Sequence, residues 1–413
     1  MNVNLQFHSP PDGQVDLLVV AGEVSGDEHG SELVSGLLKR QPDLTISAVG
    51  GGELEKKGAH LVYPLVDHAV VGFFEVIKNY QIFKQIFSAT IQWIKKFQPR
   101  TVLLIDYPGF NLRLAKELKK LGLSRKGGGD ILVLQYISPQ LWAWKPKRRF
   151  VMEKILDGYI SPQLWAWKPK RRFVMEKILD GLGVIFPFEV ACYEDTNLPV
   201  SFVGHPFVQP GYQNSISYDP KGPLLILPGS RVQPVQRILP VFLDTVSELL
   251  KDFPDLEIVL PVPDLTIRNL ADHLLSLRSN LKGRVRVVIG KAGIKARAAL
   301  MSSGTMSLSC AIAGIPGVIA YRAHPLTYLL GRTLIRIPHL GMANILLADD
   351  PPYPEFLQGR ANGRVLSGSM TTILKDSHSG KNSAEVAKKI IKSLQVTTDR
   401  GAEDWIAQET SRV

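Results

Sequence analysis

One carboxylate in the sequence stands where a catalytic base would be useful. Asp106 ends the apolar run TVLLID at residues 101–106 and comes directly before a Tyr-Pro-Gly-Phe turn. In open α/β sheets, ligands bind beyond the carboxyl ends of the strands. A carboxylate at that position could accept a proton from a substrate hydroxyl. The alternative is a helix cap for the segment at Phe110 and Asn111, and spacing alone favours neither.

A second polar group follows the run DLLVVA at residues 16–21. Glu23, Ser25 and Asp27 come just after this run. Glu23 is therefore a second catalytic candidate, and the other two residues are candidates for ligand contacts. Acidic residues at the start of a helix also complement its dipole, so a purely structural role is equally compatible with this spacing.

Two glycine-serine turns in the second half of the chain have the character of anion sites. They consist of Gly229, Ser230 and Arg231, and of Ser303, Gly304 and Thr305. Each joins an apolar run to an amphipathic stretch, so free backbone N–H groups and a helix dipole would point at one spot. Arg231 adds a fork of donors suited to a diphosphate. Either turn alone is more often an ordinary strand–helix turn, but the pair favours a nucleotide-diphosphate site.

Several familiar catalytic motifs are missing from the sequence. It contains no G-x-x-x-x-G-K-[ST] loop, no G-x-G-x-x-G after the first apolar run, no H-E-x-x-H and no G-x-S-x-G elbow. The nine histidines are scattered. We therefore expect no metal, no dinucleotide and no serine-hydrolase chemistry.

The elements that must position these residues alternate between strands and helices. Apolar runs at 16–21, 101–106, 131–136, 224–227, 256–260, 285–289 and 317–321 predict strands. Helical spacing follows several of them, and a helix capped by Ser383 is predicted near the end. This rhythm predicts an α/β protein of two Rossmann-like, doubly wound domains facing across a cleft. We place the first domain at residues 1–209, the second at 210–383 and a helical tail at 384–413.

Composition limits the class of protein. The chain has 413 residues, 45% of them hydrophobic, and a net charge of +11. That charge favours an anionic partner such as nucleic acid, a phosphorylated substrate or an acidic membrane surface. Two cysteines, Cys192 and Cys310, exclude a disulfide scaffold and suggest a reducing cytoplasm. The first ten residues lack a basic and then apolar region, so no export signal is expected.

Part of the positive charge comes from a tandem repeat. Residues 136–158 and 159–181 read YISPQLWAWKPKRRFVMEKILDG twice, letter for letter. Nothing repeats a third time, so this is not a solenoid. We interpret one copy as a surplus insertion. Short connections favour keeping the first Ser-Pro-Gln-Leu-Trp loop and the second basic helix, which leaves the surplus between about 145 and 167.

Ten short segments together resemble the lipid-A-disaccharide synthase family, glycosyltransferases of the two-Rossmann GT-B type. The segments are 21–27, 71–76, 106–111, 138–144, 186–189, 202–206, 227–231, 303–305, 321–322 and 354–358. Each is weak alone, but they occur in the family's order. The resemblance implies transfer of 2,3-diacylglucosamine from its UDP conjugate to 2,3-diacylglucosamine 1-phosphate (lipid X), which yields a β-1,6-linked disaccharide 1-phosphate and UDP.

The resemblance also implies roles for individual residues. In the inverting mechanism, Asp106 takes the proton of the acceptor 6-hydroxyl, with Glu23 beside it. Residues implied for the UDP side are Gly229, Ser230, Arg231, Ser303, Gly304, Thr305, Ser309 and Tyr321. Residues implied for the acceptor and lipid side are Ser25, Asp27, Phe73, Phe74, Asn111, Ser138, Gln140 and Trp142. Many of the aromatic side chains could equally be ordinary helix core.

The implied partners are the two lipid substrates and the anionic surface of the cytoplasmic membrane, with no cofactor or metal. The protein would be cytoplasmic and peripherally attached to the inner membrane. Nucleic acid is not expected, because only the copied KPKRR segment suggests it. A homodimer stays open.

Three positions depart from the family pattern, which has acids where this chain has Gln209, Pro234 and Ser309. Together with the duplicated segment, they favour an alternative interpretation, a catalytically impaired homologue that binds lipid or nucleotide. A separate alternative is a GT-B enzyme acting on another UDP-sugar, such as a muramyl-type transferase or an epimerase, but the segments 106–111 and 142–144 argue against it.

Overall fold

The computed structural model describes residues 5–69, 80–139, 171–209, 211–290, 293–302, 304–323, 339–396 and 401–411. The chain forms two compact units. The first comprises Met1–Gln209 together with Leu394–Val413, and the second comprises Pro210–Ser393. The end of the chain thus belongs to the unit in which the chain begins.

The first unit is built on a parallel sheet of seven strands in the order β3-β2-β1-β4-β5-β6-β7. The strands are β1 Leu17–Ala21, β2 Ile46–Gly50, β3 His60–Pro64, β4 Thr101–Ile105, β5 Leu132–Tyr136, β6 Gly181–Val184 and β7 Val200–Phe202. Every residue of β1, β2, β4, β5 and β6 is buried. Strands buried on both faces need cover on both faces, which explains why these runs are apolar throughout and do not alternate.

Helices and loops supply that cover. The helices are α1 Val24–Arg40, α2 Gly52–Lys56, α3 Val66–Ala69, α4 Tyr80–Phe97, α5 Pro108–Lys120, α6 Arg171–Ile178 and, from the end of the chain, α13 Ala402–Ser411. In α5 the side chains of Leu114, Ala115 and Leu118 are fully buried, as their helical spacing predicts. Trp405 of α13 lies against Gly183 of β6, where a side chain would collide with the indole ring.

The second unit repeats this architecture with a parallel sheet in the order β11-β10-β9-β13-β14-β15. The strands are β9 Leu224–Leu227, β10 Ile258–Val262, β11 Val285–Ile289, β13 Ala298–Met301, β14 Gly317–Tyr321 and β15 Glu355–Leu357, while β8 Ile216–Tyr218 and β12 Ile294–Ala296 pair separately. The helices are α7 Val232–Asp252, α8 Leu265–Ser276, α9 Thr305–Ile312, α10 Met342–Leu346, α11 Gly363–Lys375 and α12 Ser379–Leu394.

The predicted class, two parallel α/β units, is confirmed, and β9, β11 and β14 have the predicted bounds. Other predicted boundaries were wrong. The runs 16–21, 101–106 and 131–136 each exceed the strand by one residue, since β1 begins at Leu17, β4 ends at Ile105 and β5 begins at Leu132. The run 256–260 was taken as a strand, but β10 begins at Ile258, because Leu256 enters the core from the preceding turn. Helix α12 begins at Ser379 and not at Ser383, because its first turn carries no apolar side chain to mark it.

The two ends of the tandem repeat are both built into the first unit. Ser138 of the first copy follows β5 and is buried, while Met175 and Ile178 of the second copy are buried in α6, directly before β6. The helix of the second copy before β6 agrees with the prediction, whereas residues 140–144 of the predicted first loop lie outside the described residues. The predicted surplus at 145–167 lies outside the described residues.

Candidate functional site

The carboxyl ends of β1 and β4 bring Glu23 and Asp106 to one edge of the first sheet. The two strands are neighbours, and Ala21 pairs with Ile105. The backbone changes direction sharply at Asp106 and Tyr107, which have φ values of 44° and 45°. Two successive non-glycine residues in the left-handed region are unfavourable and occur mainly where the surrounding structure holds them.

Asp106 is not the cap of the helix that follows. Tyr107 is the N-cap residue of α5, no side chain caps that helix, and Pro108 starts it. The Tyr107 backbone N–H lies close enough to the Asp106 carboxyl to lower its pKa. Of the two roles that spacing left open, the structure therefore disfavours the capping role.

The surroundings of the Asp106 carboxyl raise its pKa toward neutrality. Burial raises the pKa of Asp106 to about 7, the negative charge of Glu23 adds to the rise, and the Tyr107 N–H opposes it. Burial and Glu23 also raise the pKa of Tyr107 to about 12. A general base works best when its pKa lies near the working pH, so the carboxyl has the property that this role needs. Glu23 itself is exposed at the N-cap of α1.

The side chains of two residues predicted for the acceptor side form hydrogen bonds with backbone groups of the first unit. The Asp27 carboxylate is buried and accepts hydrogen bonds from the backbone N–H groups of Gly51 at 2.8 Å and Glu53 at 3.0 Å, which caps α2. Asn111 is fully buried, and its amide donates to backbone carbonyls. Ser25, in contrast, is exposed in the first turn of α1.

A buried carboxyl that was not singled out as a site residue lies at the same edge. Glu189 follows β6 and accepts a hydrogen bond from the Phe186 N–H at 3.1 Å. Burial raises the pKa of Glu189 to about 8, against the effect of the Phe186 and Ile185 N–H groups, and Asp106 adds to the rise. The sequence feature that could have pointed to Glu189 is the segment Pro-Phe-Glu, which is typical of the start of a helical turn.

Ser138 is tied to the same turn. Its hydroxyl lies 2.6 Å from the Tyr193 hydroxyl, and both groups are buried. The loop after β5 is thereby joined to the 3-10 helix Pro187–Tyr193.

In the second unit, the two glycine-serine turns lie side by side. Strands β9 and β13 are neighbours, and the Ser302 N–H donates to the Leu227 carbonyl at 2.9 Å. Gly229 and Gly304 have φ values of 111° and 141°, which favour glycine. A Cβ on Gly229 would lie 3.4 Å from the Ser302 hydroxyl oxygen.

Helices α7 and α9 start at these two turns, and neither carries an acidic residue in its first turn. The N–H groups in the first turn of a helix have no partner within the helix, so two neighbouring helix starts favour an anion. Arg231 is exposed at the N-cap of α7, next to the exposed Ser230. This arrangement suits a diphosphate.

Three other residues predicted for the donor side lie in β14 and in helix α9 of the second unit. Tyr321 ends β14, the neighbour of β13, and is partly exposed. Ser309 is buried in α9, and its backbone carbonyl accepts a hydrogen bond from the Asn214 amide at 2.9 Å. Thr305 is the first residue of α9. The predicted residues Phe73, Phe74, Gln140, Trp142 and Ser303 lie outside the described residues.

Among the described residues, no three His, Cys, Asp or Glu side chains are grouped so that they could hold a metal ion. No helix in the described part of the chain is both long and apolar enough to cross a bilayer.

The chain is similar to one family of enzymes over most of its length. The profile of a family described as lipid-A-disaccharide synthetase matches residues 17–158 and again 158–409, so the match restarts within the tandem repeat. Lipid-A-disaccharide synthase 1 of Legionella pneumophila (strain Philadelphia 1) is 36% identical over 92% of this chain and 93% of its own length. Lipid-A-disaccharide synthase of Geobacter metallireducens is 32% identical, over 90% and 91%.

Solved structures of lower identity share the fold. The UDP-GlcNAc 2-epimerase of Neisseria meningitidis, bound to UDP-GlcNAc, has a TM-score of 0.55 at 13% identity and covers 96% of this chain and 99% of its own. The calicheamicin glycosyltransferase has a TM-score of 0.52 at 16% identity, with 97% and 98% covered. These likenesses confirm the GT-B fold class.

Proposed function

Because the chain belongs to the lipid-A-disaccharide synthase family, a family of hexosyltransferases, we propose that it transfers 2,3-diacylglucosamine from UDP to lipid X. The products are the β-1,6-linked disaccharide 1-phosphate and UDP. The observation that carries the proposal within this chain is Asp106, a carboxyl with a pKa of about 7 on a strained turn at the carboxyl edge of the first sheet.

In the proposed reaction, the 6-hydroxyl oxygen of the acceptor attacks the anomeric carbon of the donor from the face opposite UDP. The hydroxyl proton passes to the Asp106 carboxylate as the new C–O bond forms. The bond between the anomeric carbon and the diphosphate oxygen breaks, and its electron pair leaves with UDP. Charge that develops on this oxygen is stabilised by the Arg231 guanidinium and by the N–H groups at the starts of α7 and α9.

We assign the substrate contacts by unit. The turns at Gly229 and Gly304, with Arg231 and Tyr321, hold the UDP part of the donor. Glu23, Ser25 and Asp106 face the acceptor. The exposed N-terminal edge of two adjacent helices supports the first assignment, and the exposure of Glu23 and Ser25 beside Asp106 supports the second.

Both substrates are lipids, so the proposal includes peripheral contact with an anionic membrane surface. Support comes from the net charge of +11 and from Arg113, Lys116, Lys120 and Arg125, which are exposed on α5 and the turn after it. Basic residues near an anionic surface contribute about 1 kcal/mol each to binding. Sedimentation with vesicles of anionic or zwitterionic phospholipid tests this point, and equal binding to both vesicle types would contradict it.

The transfer itself is tested with purified protein, UDP-2,3-diacylglucosamine and lipid X. Disaccharide 1-phosphate and UDP should appear in equal amounts with the native chain and be nearly absent with Asp106→Asn. Equal product from Asp106→Asn would remove Asp106 as the base. Retained UDP binding without any disaccharide from the native chain would support an impaired homologue, a reading favoured by the non-acidic Ser309, Pro234 and Gln209.

A further inference from the structure

Two buried amides converge on the backbone of Asp106. The Asp106 carbonyl oxygen accepts a hydrogen bond from the Asn111 amide nitrogen at 2.9 Å and from the Gln135 amide nitrogen at 3.2 Å. Asn111 lies in the first turns of α5, and Gln135 lies in β5, the strand next to β4. Both side chains are fully buried. Neither takes part in the proton transfer proposed above.

Each amide binds more than one strand end. The Asn111 nitrogen also lies 3.1 Å from the Ile105 carbonyl and 3.3 Å from the Val20 carbonyl, at the ends of β4 and β1. The Gln135 nitrogen also lies 3.3 Å from the Tyr136 carbonyl and 3.2 Å from the Ile137 carbonyl, at the end of β5. The two nitrogens therefore connect the ends of three adjacent strands.

The orientation of these amides is fixed by what surrounds them. Each nitrogen faces three carbonyl oxygens, so a reversed amide would place its own oxygen against three acceptors. Within the described residues, the Asn111 Oδ1 and Gln135 Oε1 atoms have no hydrogen-bond partner. Burial of a polar atom without a partner is unfavourable, so these residues are poor choices for stability alone.

The backbone that these amides bind is strained after both β4 and β5. Asp106 and Tyr107 have positive φ, and Ile137, whose carbonyl binds Gln135, has a φ of 68°. Left-handed non-glycine residues persist only where neighbouring contacts determine the conformation. The two amides supply such contacts at the residue that carries the proposed base.

We propose that Gln135 and Asn111 are positioning residues that hold the Asp106 turn, and thereby the Asp106 carboxylate, in the conformation that accepts the acceptor proton. The inference rests on the proposed role of Asp106. Without the Gln135 donor, the turn relaxes toward ordinary φ values and the carboxylate moves relative to the acceptor hydroxyl. Displacement of a catalytic group by about 1 Å can cost on the order of 100-fold in rate.

The test replaces Gln135 by residues of equal length. Gln135→Met keeps the unbranched shape and removes the donor, and Gln135→Glu sets carboxyl oxygens against three carbonyls. We expect kcat to fall roughly 10- to 100-fold in Gln135→Met and further in Gln135→Glu, with KM for both substrates within about twofold of the native value. We also expect the acid limb of the kcat profile to move to lower pH in Gln135→Met, because a relaxed turn exposes the carboxyl to water.

Gln98→Met is the matched control. Gln98 also has a positive φ and donates its amide to a backbone carbonyl, that of Lys95 at 3.0 Å, but it is exposed and precedes β4, at the opposite end of that strand from Asp106. This variant should keep the native kcat and pH profile. Thr90→Val, which removes a buried donor to the Ile86 carbonyl in α4, controls for loss of stability alone.

The outcomes separate this inference from the proposed function. Native kcat and pH profile in Gln135→Met, together with an inactive Asp106→Asn, would overturn the positioning role and leave the base in place. An active Asp106→Asn would overturn the base, and the positioning role with it. If Gln135→Met does not fold, Gln135→Asn keeps the amide but withdraws it by one carbon, and the same fall in kcat at unchanged KM is required of it.

Discussion

The ring of Tyr107 occupies the space that a side chain at Gly22 would need. A Cβ placed on Gly22 would overlap three ring atoms of Tyr107. Gly22 follows β1, and Tyr107 follows Asp106 at the end of the neighbouring β4. The glycine therefore lets the strained turn of Asp106 lie directly against the end of β1.

Gly22→Ala should consequently lower activity. The overlapped atoms include Cγ, the ring atom next to the Tyr107 backbone, so we expect the added methyl to displace Tyr107 and Asp106 and to lower kcat roughly tenfold or more. Overpacking of this kind typically destabilises by about 1–3 kcal/mol, which thermal unfolding would register. Gly52→Ala is the control, because Gly52 follows the next strand, β2, and a Cβ there meets no atom within 4 Å. Native kcat in Gly22→Ala would contradict the packing argument.

The rate should depend on pH with a midpoint near 7. Asp106 must be deprotonated to act as a base, and its pKa is raised to about 7. The kcat/KM value should therefore rise with pH through that midpoint and be roughly a tenth of its maximum one unit below it. Initial rates between pH 5 and 9, with stability checked at each pH, measure this. A midpoint near the ordinary carboxyl pKa would show that Asp106 is more hydrated than the structure indicates.

Glu189→Gln should stabilise the protein at high pH. Between the ordinary carboxyl pKa of 4.5 and the folded value of about 8, the folded chain keeps a proton that the unfolded chain has released. Stability is therefore lost as pH rises through this window, at about 1.4 kcal/mol per pKa unit, and the loss is complete above pH 8. The glutamine keeps an acceptor for the Phe186 N–H but carries no charge.

Thermal unfolding of the native chain and of Glu189→Gln should therefore diverge as pH rises. We expect the variant to melt several degrees higher at pH 9 and at about the native temperature at pH 4.5. Glu55→Gln, at an exposed carboxylate of α2, should show no such trend. A constant difference between native chain and variant at all pH values would mean that Glu189 does not titrate in this window.

Arg231→Ala should weaken use of the donor without harming the fold. Arg231 is exposed at the start of α7, where a guanidinium can contact a diphosphate through two parallel N–H donors. We expect kcat to fall and KM for the UDP-sugar to rise, each about tenfold or more, because Arg231 is proposed both to hold the diphosphate and to stabilise the charge on its leaving oxygen. KM for lipid X should stay the same. Arg286→Ala, an equal loss of charge at an exposed position of β11, should behave as the native chain. Equal KM changes for both substrates would place Arg231 elsewhere in the reaction.

The sequence predicted where the strands lie better than it predicted the burial and pKa of the side chains at their ends. Asp106 was correctly expected at a strand end, because an apolar run buried on both faces is recognisable from its residues alone. Its raised pKa was not predictable, since burial depends on packing between β1, β4 and α5. Leu256 misled the boundary of β10 because a buried apolar residue in a turn has the same sequence signal as one in a strand.

The contact between Gln135 and Asp106 could not be predicted from the sequence. A single polar residue in the apolar run 131–136 was visible in the sequence, but its amide binds Asp106, which lies 29 residues earlier in the chain. That partner could not be inferred without the strand order. Glu189 was quoted only as part of a family segment, because its nearness to Asp106 also depends on tertiary structure.

Removal of one copy of the tandem repeat should leave a folded and active protein. Because the copies are identical, deletion of any 23 consecutive residues within 136–181 yields the same shortened chain. In that chain a single copy supplies both parts seen here, Ser138 after β5 and the helix α6 before β6. All described residues of the first unit are therefore retained, so the melting temperature should stay equal or rise slightly.

Activity of the shortened chain should equal or exceed that of the full chain, measured as disaccharide formed per minute under identical conditions. The reason is that Asp106, Ser138 and Glu189 keep all their described contacts. Asp106→Asn in the shortened chain is the control, and it should be inactive. A large loss of both activity and melting temperature on deletion would show that the second copy is an integral part of the first unit.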